Sequence, residues 1–167
     1  MLRPYRGTLP TVHLSAYVDQ SAQVIGDVTI SEDSSVWIRG DVHRIQIGRR
    51  TNIQDGTIVH VMHGTHETTI GDEVTVGHAA VVHGCAIADR CLVGMGAILL
   101  NGVRVGSDSI VAAGTLVVEG MEVPPRSLVM GRPGRVTRAL TDAEVASIRD
   151  YAERYVGYRL DYMPPSD

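Results

Sequence analysis

At 167 residues, with 44% hydrophobic and 20% charged residues, the chain has the size and balance of one soluble globular domain. A formal net charge of −4 gives no reason to expect nucleic acid or an anionic membrane as partner, and no apolar run is long enough to span a bilayer. The absence of lysine excludes Schiff-base chemistry, and the start Met1-Leu2-Arg3-Pro4-Tyr5 has no apolar signal core, so a cytoplasmic location is expected.

From Val12 onward the chain carries a six-residue aliphatic period. Val12, Val18, Val24, Ile30, Val36 and Val42 open successive hexads, and a five-residue step leads to Ile47, Ile53 and Val59. After an interruption from Val61 to Thr69 the series resumes at Ile70, Val76 and Val82. A second five-residue step leads to Ile87, Val93, Leu99, Val105, Val111 and Val117. The fifth position is mostly small, as at Ala16, Ala22, Gly40, Thr51, Ala80, Cys91 and Ala97. A helix repeats its faces at 3.6 residues and does not hold this period. Val-rich strands of a sandwich are the alternative, but they give no reason to confine large residues to every sixth place. With 18 glycines and no phenylalanine, the composition also suits repeated tight corners. The expectation is an all-β solenoid, a left-handed parallel β-helix with three hexads per coil.

Glu122-Val123-Pro124-Pro125-Arg126 is expected to end the repeat, because consecutive prolines cannot continue a sheet ladder. Gly131-Arg132-Pro133-Gly134 reads as a turn. Thr141-Asp142-Ala143-Glu144 has the form of a capping box, and Val145, Ile148, Tyr151, Ala152, Tyr155 and Val156 follow at helical spacing to about Leu160. Residues 1–139 are thus read as the β-helix with its lead and turn segments. Residues 140–167 are read as a C-terminal helix and tail packed on it, the whole forming a single domain. Cys85 and Cys91 are too few for a disulfide framework and read as small core residues.

The register gives three histidines a joint meaning. His60 and His83 are the second residues of the hexads at Val59 and Val82. If the segment 61–69 loops out, these hexads share a face in adjacent coils, and the two imidazoles stack roughly 4.8 Å apart, close enough to converge on one ion. His78, third in the preceding hexad, lies around a corner, so it completes such a site only from another chain. A threefold assembly would provide that at every interface. Three neutral histidines with an open fourth position are a catalytic zinc pattern. Asp55 occupies the position of His78 one coil earlier and is placed to receive a histidine N–H; its neighbour Gln54 is placed to bond a water on the metal. Arg39 and Asp41 lie a further coil back, on the outer surface, and are placed to join subunits. Taken singly, each is a plain solvated residue or surface pair. Their coincidence in register argues for a metal site.

The runs Arg39-Gly40-Asp41, Asn52-Ile53-Gln54-Asp55-Gly56, His60 and Gly77-His78-Ala79-Ala80-Val81-Val82-His83-Gly84-Cys85 resemble the γ-class carbonic anhydrases and their relatives, over almost the whole chain. The resemblance implies a homotrimer holding Zn2+, or Fe2+ in an anaerobic cell. The metal ligands would be His60 and His83 of one subunit and His78 of the next. It implies hydration of CO2 to bicarbonate by hydroxide from a metal-bound water whose pKa is lowered toward 7. It further implies that Gln54 orients that hydroxide, Asp55 supports the site, and Arg39 and Asp41 form intersubunit contacts. Val42 stands where the family's archetype has a glutamate, and the short segment 61–69 replaces its acidic loop. His63, His66 and Glu67 are the groups there able to move a proton. Tyr155 and Tyr158 are further candidates from the helix.

Two other readings stay open. One is a hexapeptide-repeat acyltransferase or thioesterase using a CoA ester, with a histidine as general base and Arg126, Arg132, Arg135 and Arg138 for the phosphates. The other is a trimeric metal-binding scaffold without turnover.

Overall fold

A computed structural model describes residues 1–36 and 43–163. Short strands of two to six residues wind into a parallel β-solenoid, the left-handed β-helix of hexapeptide-repeat chains, followed by one helix, Asp142–Tyr162. No described helix is long and apolar enough to cross a membrane. Arg39, Asp41 and Val42 lie outside the described residues.

The hexad leaders build the interior. Ile30, Ile47, Ile70, Ile87 and Val105 pair in sequence along one wall. Ile53, Val76, Val93, Val111 and Val129 line the second, and Val59, Val82, Leu99 and Val117 the third. All fourteen are at most 3% exposed, which makes one continuous core of side chains that are β-branched except for Leu99.

The residue before each leader points outward, and there the three walls differ. The first wall presents Thr29, Gln46, Thr69, Ala86, Arg104 and Glu122, a mostly polar surface. The second presents Ser35, Asn52, Thr75, Leu92, Ile110 and Leu128, and the helix packs against it. The third presents Ile58, Val81, Ile98 and Leu116, an aliphatic column that the helix does not cover and that stays partly open to solvent among the described residues. Ile58 is 52% exposed.

The repeat runs one strand further than the prolines suggested. Pro124 and Pro125 sit at a corner, where no ladder N–H is required, and Ser127–Gly131 continues the second wall with Val129 fully buried. Gly134–Ala139 then folds back antiparallel on that strand and covers the end of this sheet. The capping box forms as expected at Thr141 and Glu144. On the helix, Ile148, Ala152 and Arg159 face the coil, whereas Tyr151 is exposed. One corner of the prism stacks Asp33, Arg50, Glu73, Arg90, Asp108 and Arg126, all with φ between 54° and 58°, so charge alternates at every rung.

Candidate metal centre

His60 and His83 sit directly opposite each other at the ends of Ile58–His60 and Val81–His83. Alternation along the strands turns Val59 and Val82 inward and both imidazoles outward. His60 Nδ1 lies 3.1 Å from His83 Nε2, with ring centroids 5.1 Å apart. The segment 61–69 makes a tight reversal, closed by the bridge between Met62 and His66, and returns Thr68 beneath the pair. The buried Thr68 hydroxyl donates to the His60 carbonyl at 2.6 Å and accepts from Gly84 N–H at 2.9 Å. It ties the two histidine strands together.

His83 Nδ1 stands 2.8 Å from Asn101 Oδ1. His78 lies at the corner before the third wall, where its Nδ1 is 3.2 Å from Asp55 Oδ2. Gln54 is buried; its Nε2 donates to Asn52 Oδ1 at 3.2 Å, and Asn52 Nδ2 donates to Thr75 Oγ1 at 2.8 Å. Within this one chain the described residues therefore gather in two groups. One is the His60–His83 pair with Asn101, and the other is the His78–Asp55 pair. Among the described residues no three histidine, cysteine or acidic side chains converge within the chain.

The donor chemistry fits a divalent ion. Two nitrogens each about 2.0–2.1 Å from one ion stand roughly 3–3.5 Å apart in a four-coordinate site, and the observed 3.1 Å falls in that span. His78, with Nδ1 directed at a carboxylate, keeps Nε2 for an outward ligand.

The proton-moving candidates separate. His66 packs over Gly84 and Gly102, beside the histidine column, and lines a cavity of about 310 Å3 with Glu67 and Arg104. His63 faces a different cavity, with Asp27, His43 and Glu67. Burial pushes the Tyr155 hydroxyl above its usual range, helped by Tyr158 and by the Asp55 carboxylate, so the helix brings Tyr155 within electrostatic reach of the His78 group. Of the four arginines considered for phosphates, Arg126 pairs with Asp142 and Arg138 binds Glu144 through two nitrogens. Sequence reasoning missed Thr68 and Asn101. One coil is 17 residues here, so Asn101 stacks on Gly84, one place beyond the rung of His83, and the period alone does not point to the contact.

The family described as "Hexapeptide repeat of succinyl-transferase" matches residues 67–101 and 86–118. "Gamma carbonic anhydrase 1, mitochondrial" of Arabidopsis thaliana is 46% identical over 87% of this chain and 56% of its own length. "Probable carbonic anhydrase" of Methanocaldococcus jannaschii is 51% identical over 83% of this chain and 89% of its own. The crystal structure of a hexapeptide transferase family protein from Anaplasma phagocytophilum superposes with a TM-score of 0.93 at 37% identity, covering 97% of this chain and 98% of that one.

Proposed function

The chain belongs to the γ carbonic anhydrase-like family of hexapeptide-repeat proteins, and from that membership we propose a metal-dependent carbonic anhydrase that hydrates CO2 to bicarbonate at the interfaces of a homotrimer. The observation that carries the proposal is the His60–His83 pair, two imidazoles presented outward on adjacent rungs with facing nitrogens 3.1 Å apart. His78 of a neighbouring subunit is the third ligand. The partly exposed aliphatic column of Ile58, Val81, Ile98 and Leu116 runs beside the pair and supports a second copy as its cover.

His60, His83 and a neighbour's His78 would hold a zinc or ferrous ion, whose Lewis acidity would make a water nucleophilic near neutral pH. The chain's own residues do the rest. Asp55 holds His78 by its Nδ1 and leaves Nε2 outward. Gln54, fixed by Asn52, presents its amide to orient the nucleophile. His66, packed over Gly84 next to His83, serves proton transfer. Arg39 and Asp41 are assigned to subunit contacts.

Purified protein should hold near-stoichiometric zinc or iron, lose it on His78→Ala, and show stopped-flow CO2 hydration that disappears with the metal. Mixing His60→Ala with His78→Ala subunits should restore some sites, because each variant lacks a different half. Metal without turnover would leave a scaffold. Absence of metal would overturn the reading.

The acyltransferase reading keeps one supporting observation: a histidine oriented by a carboxylate, His78 on Asp55, is also the arrangement of a general base. Metal-independent release of CoA from an acyl-CoA, abolished by His78→Ala, would favour it. The carboxylates on Arg126 and Arg138 weigh against a phosphate site there.

A further inference from the structure

We propose that Asn101 is a positioning residue of the metal centre, whose side-chain carbonyl holds His83 in the one tautomer able to bind an ion through Nε2. The inference rests on the metal-centre reading above and deepens it. A neutral imidazole carries a single N–H, and the nitrogen bearing it is lost as a ligand. His83 Nε2 is the atom that faces His60. Its Nδ1 meets Asn101 Oδ1 at 2.8 Å. An amide oxygen has no hydrogen to give, so Nδ1 must be the donor, and Nε2 keeps its lone pair. The opposite amide orientation would place NH2 against Nδ1 and drive the proton onto Nε2.

The surrounding backbone is shaped for this contact. The Asn101 side chain crosses directly over Gly84: a Cβ there would lie 2.5 Å from Asn101 Oδ1 and 2.9 Å from His66 Cβ. Gly84 also has φ +56°, so both the space and the backbone angle call for glycine. Gly102 N–H donates to the Gly84 carbonyl at 2.8 Å, and Gly120 N–H to the Asn101 carbonyl at 2.9 Å, which stacks the corner that carries Asn101 on the one that follows His83. The two orienting groups also differ in charge. His78 has a carboxylate partner, whereas His83 has a neutral amide that fixes the tautomer without adding charge beside the pair.

The test is zinc affinity, measured by competition with a chromophoric chelator on the full chain, for wild type, Asn101→Leu, Asn101→Ala and Asn101→Asp. Asn101→Leu and Asn101→Ala should bind zinc about 10–100-fold more weakly. Asn101→Asp, which keeps the acceptor, should bind at least as tightly as wild type. The unfolding midpoint of the zinc-free proteins should stay nearly constant, although a merely structural role would move it. Gly84→Ala should weaken zinc binding by displacing Asn101, and adding Asn101→Ala should then cost nothing more. Wild-type affinity in either Asn101→Leu or Asn101→Ala would overturn the proposal. So would equal losses in all three Asn101 variants. If wild type itself binds no zinc, the metal-centre reading fails first and takes this inference with it.

Discussion

A Cβ placed on Gly94 would lie 2.4 Å from the Ala113 amide nitrogen in the next coil, whereas one on Gly114, at φ +67°, would meet nothing within 4 Å. The first glycine is required by close backbone approach and the second only by its backbone angle. Gly94→Ala should therefore destabilise by roughly 3 kcal/mol or more, because the rungs must part. Gly114→Ala should cost only about 1–2 kcal/mol of left-handed strain. Urea unfolding of both variants separates the two, and equal losses would contradict the assignment. Thr68→Val keeps the shape of a buried side chain but removes the hydroxyl shared by His60 and Gly84. It should cost about 1–3 kcal/mol in the same measurement. At this scale the hexad leaders were legible, since a six-residue period fixes which side chains turn inward. Thr68 was not, because nothing in a nine-residue interruption says where its hydroxyl will return.

The helix is held to the coil partly by charge. Arg159, only 7% exposed, donates through Nη1 to Asp33 Oδ1 at 2.5 Å and also bonds the Ser15 carbonyl. Arg50 reaches Glu153 on the same helix. The hydrogen bond from Arg159 holds the Asp33 carboxyl below its usual range, against the opposing effect of burial. A depressed carboxylate stabilises the fold above its ordinary value of about 3.9 and loses that contribution as pH falls through the lowered folded value. Amide exchange along Asp142–Tyr162 should therefore accelerate as pH drops below the ordinary carboxylate range, after correction for the intrinsic rate. Asp33→Asn should shrink that pH limb, leaving the part carried by Glu144 of the capping box, and cost about 2 kcal/mol at neutral pH, between an exposed and a buried pair. The helix and its capping box were legible from Thr141 and Glu144. Its inner face was only partly so: Ile148 and Ala152 turn inward, but Tyr151 faces solvent, and a long arginine takes a place that hydrophobic spacing reserves for apolar side chains.

The three walls of the prism are chemically unlike: one polar, one covered by the helix, one aliphatic and partly exposed. On the proposed assembly the aliphatic wall is the subunit contact, so Ile98→Glu should shift the protein to monomers in sedimentation velocity and release bound zinc in parallel. A stable assembly retaining metal would place the contact elsewhere. The wall was visible in the sequence as Ile58, Val81, Ile98 and Leu116 preceding their leaders, yet only the coil register shows that they form one column. The His60–His83 pairing was legible because both follow their leaders directly. The Asn101 contact was not, because it depends on a side chain crossing a corner.

The corner ladder of Asp33, Arg50, Glu73, Arg90, Asp108 and Arg126 constrains how such a chain can change length. Excising one turn of the spiral would bring two like charges face to face at the splice, a destabilising arrangement for stacked neighbours, while excising two would preserve opposite signs all along the edge. Growth and shrinkage by pairs of turns is thus the path of least electrostatic resistance, a parity rule written into the edge of the prism.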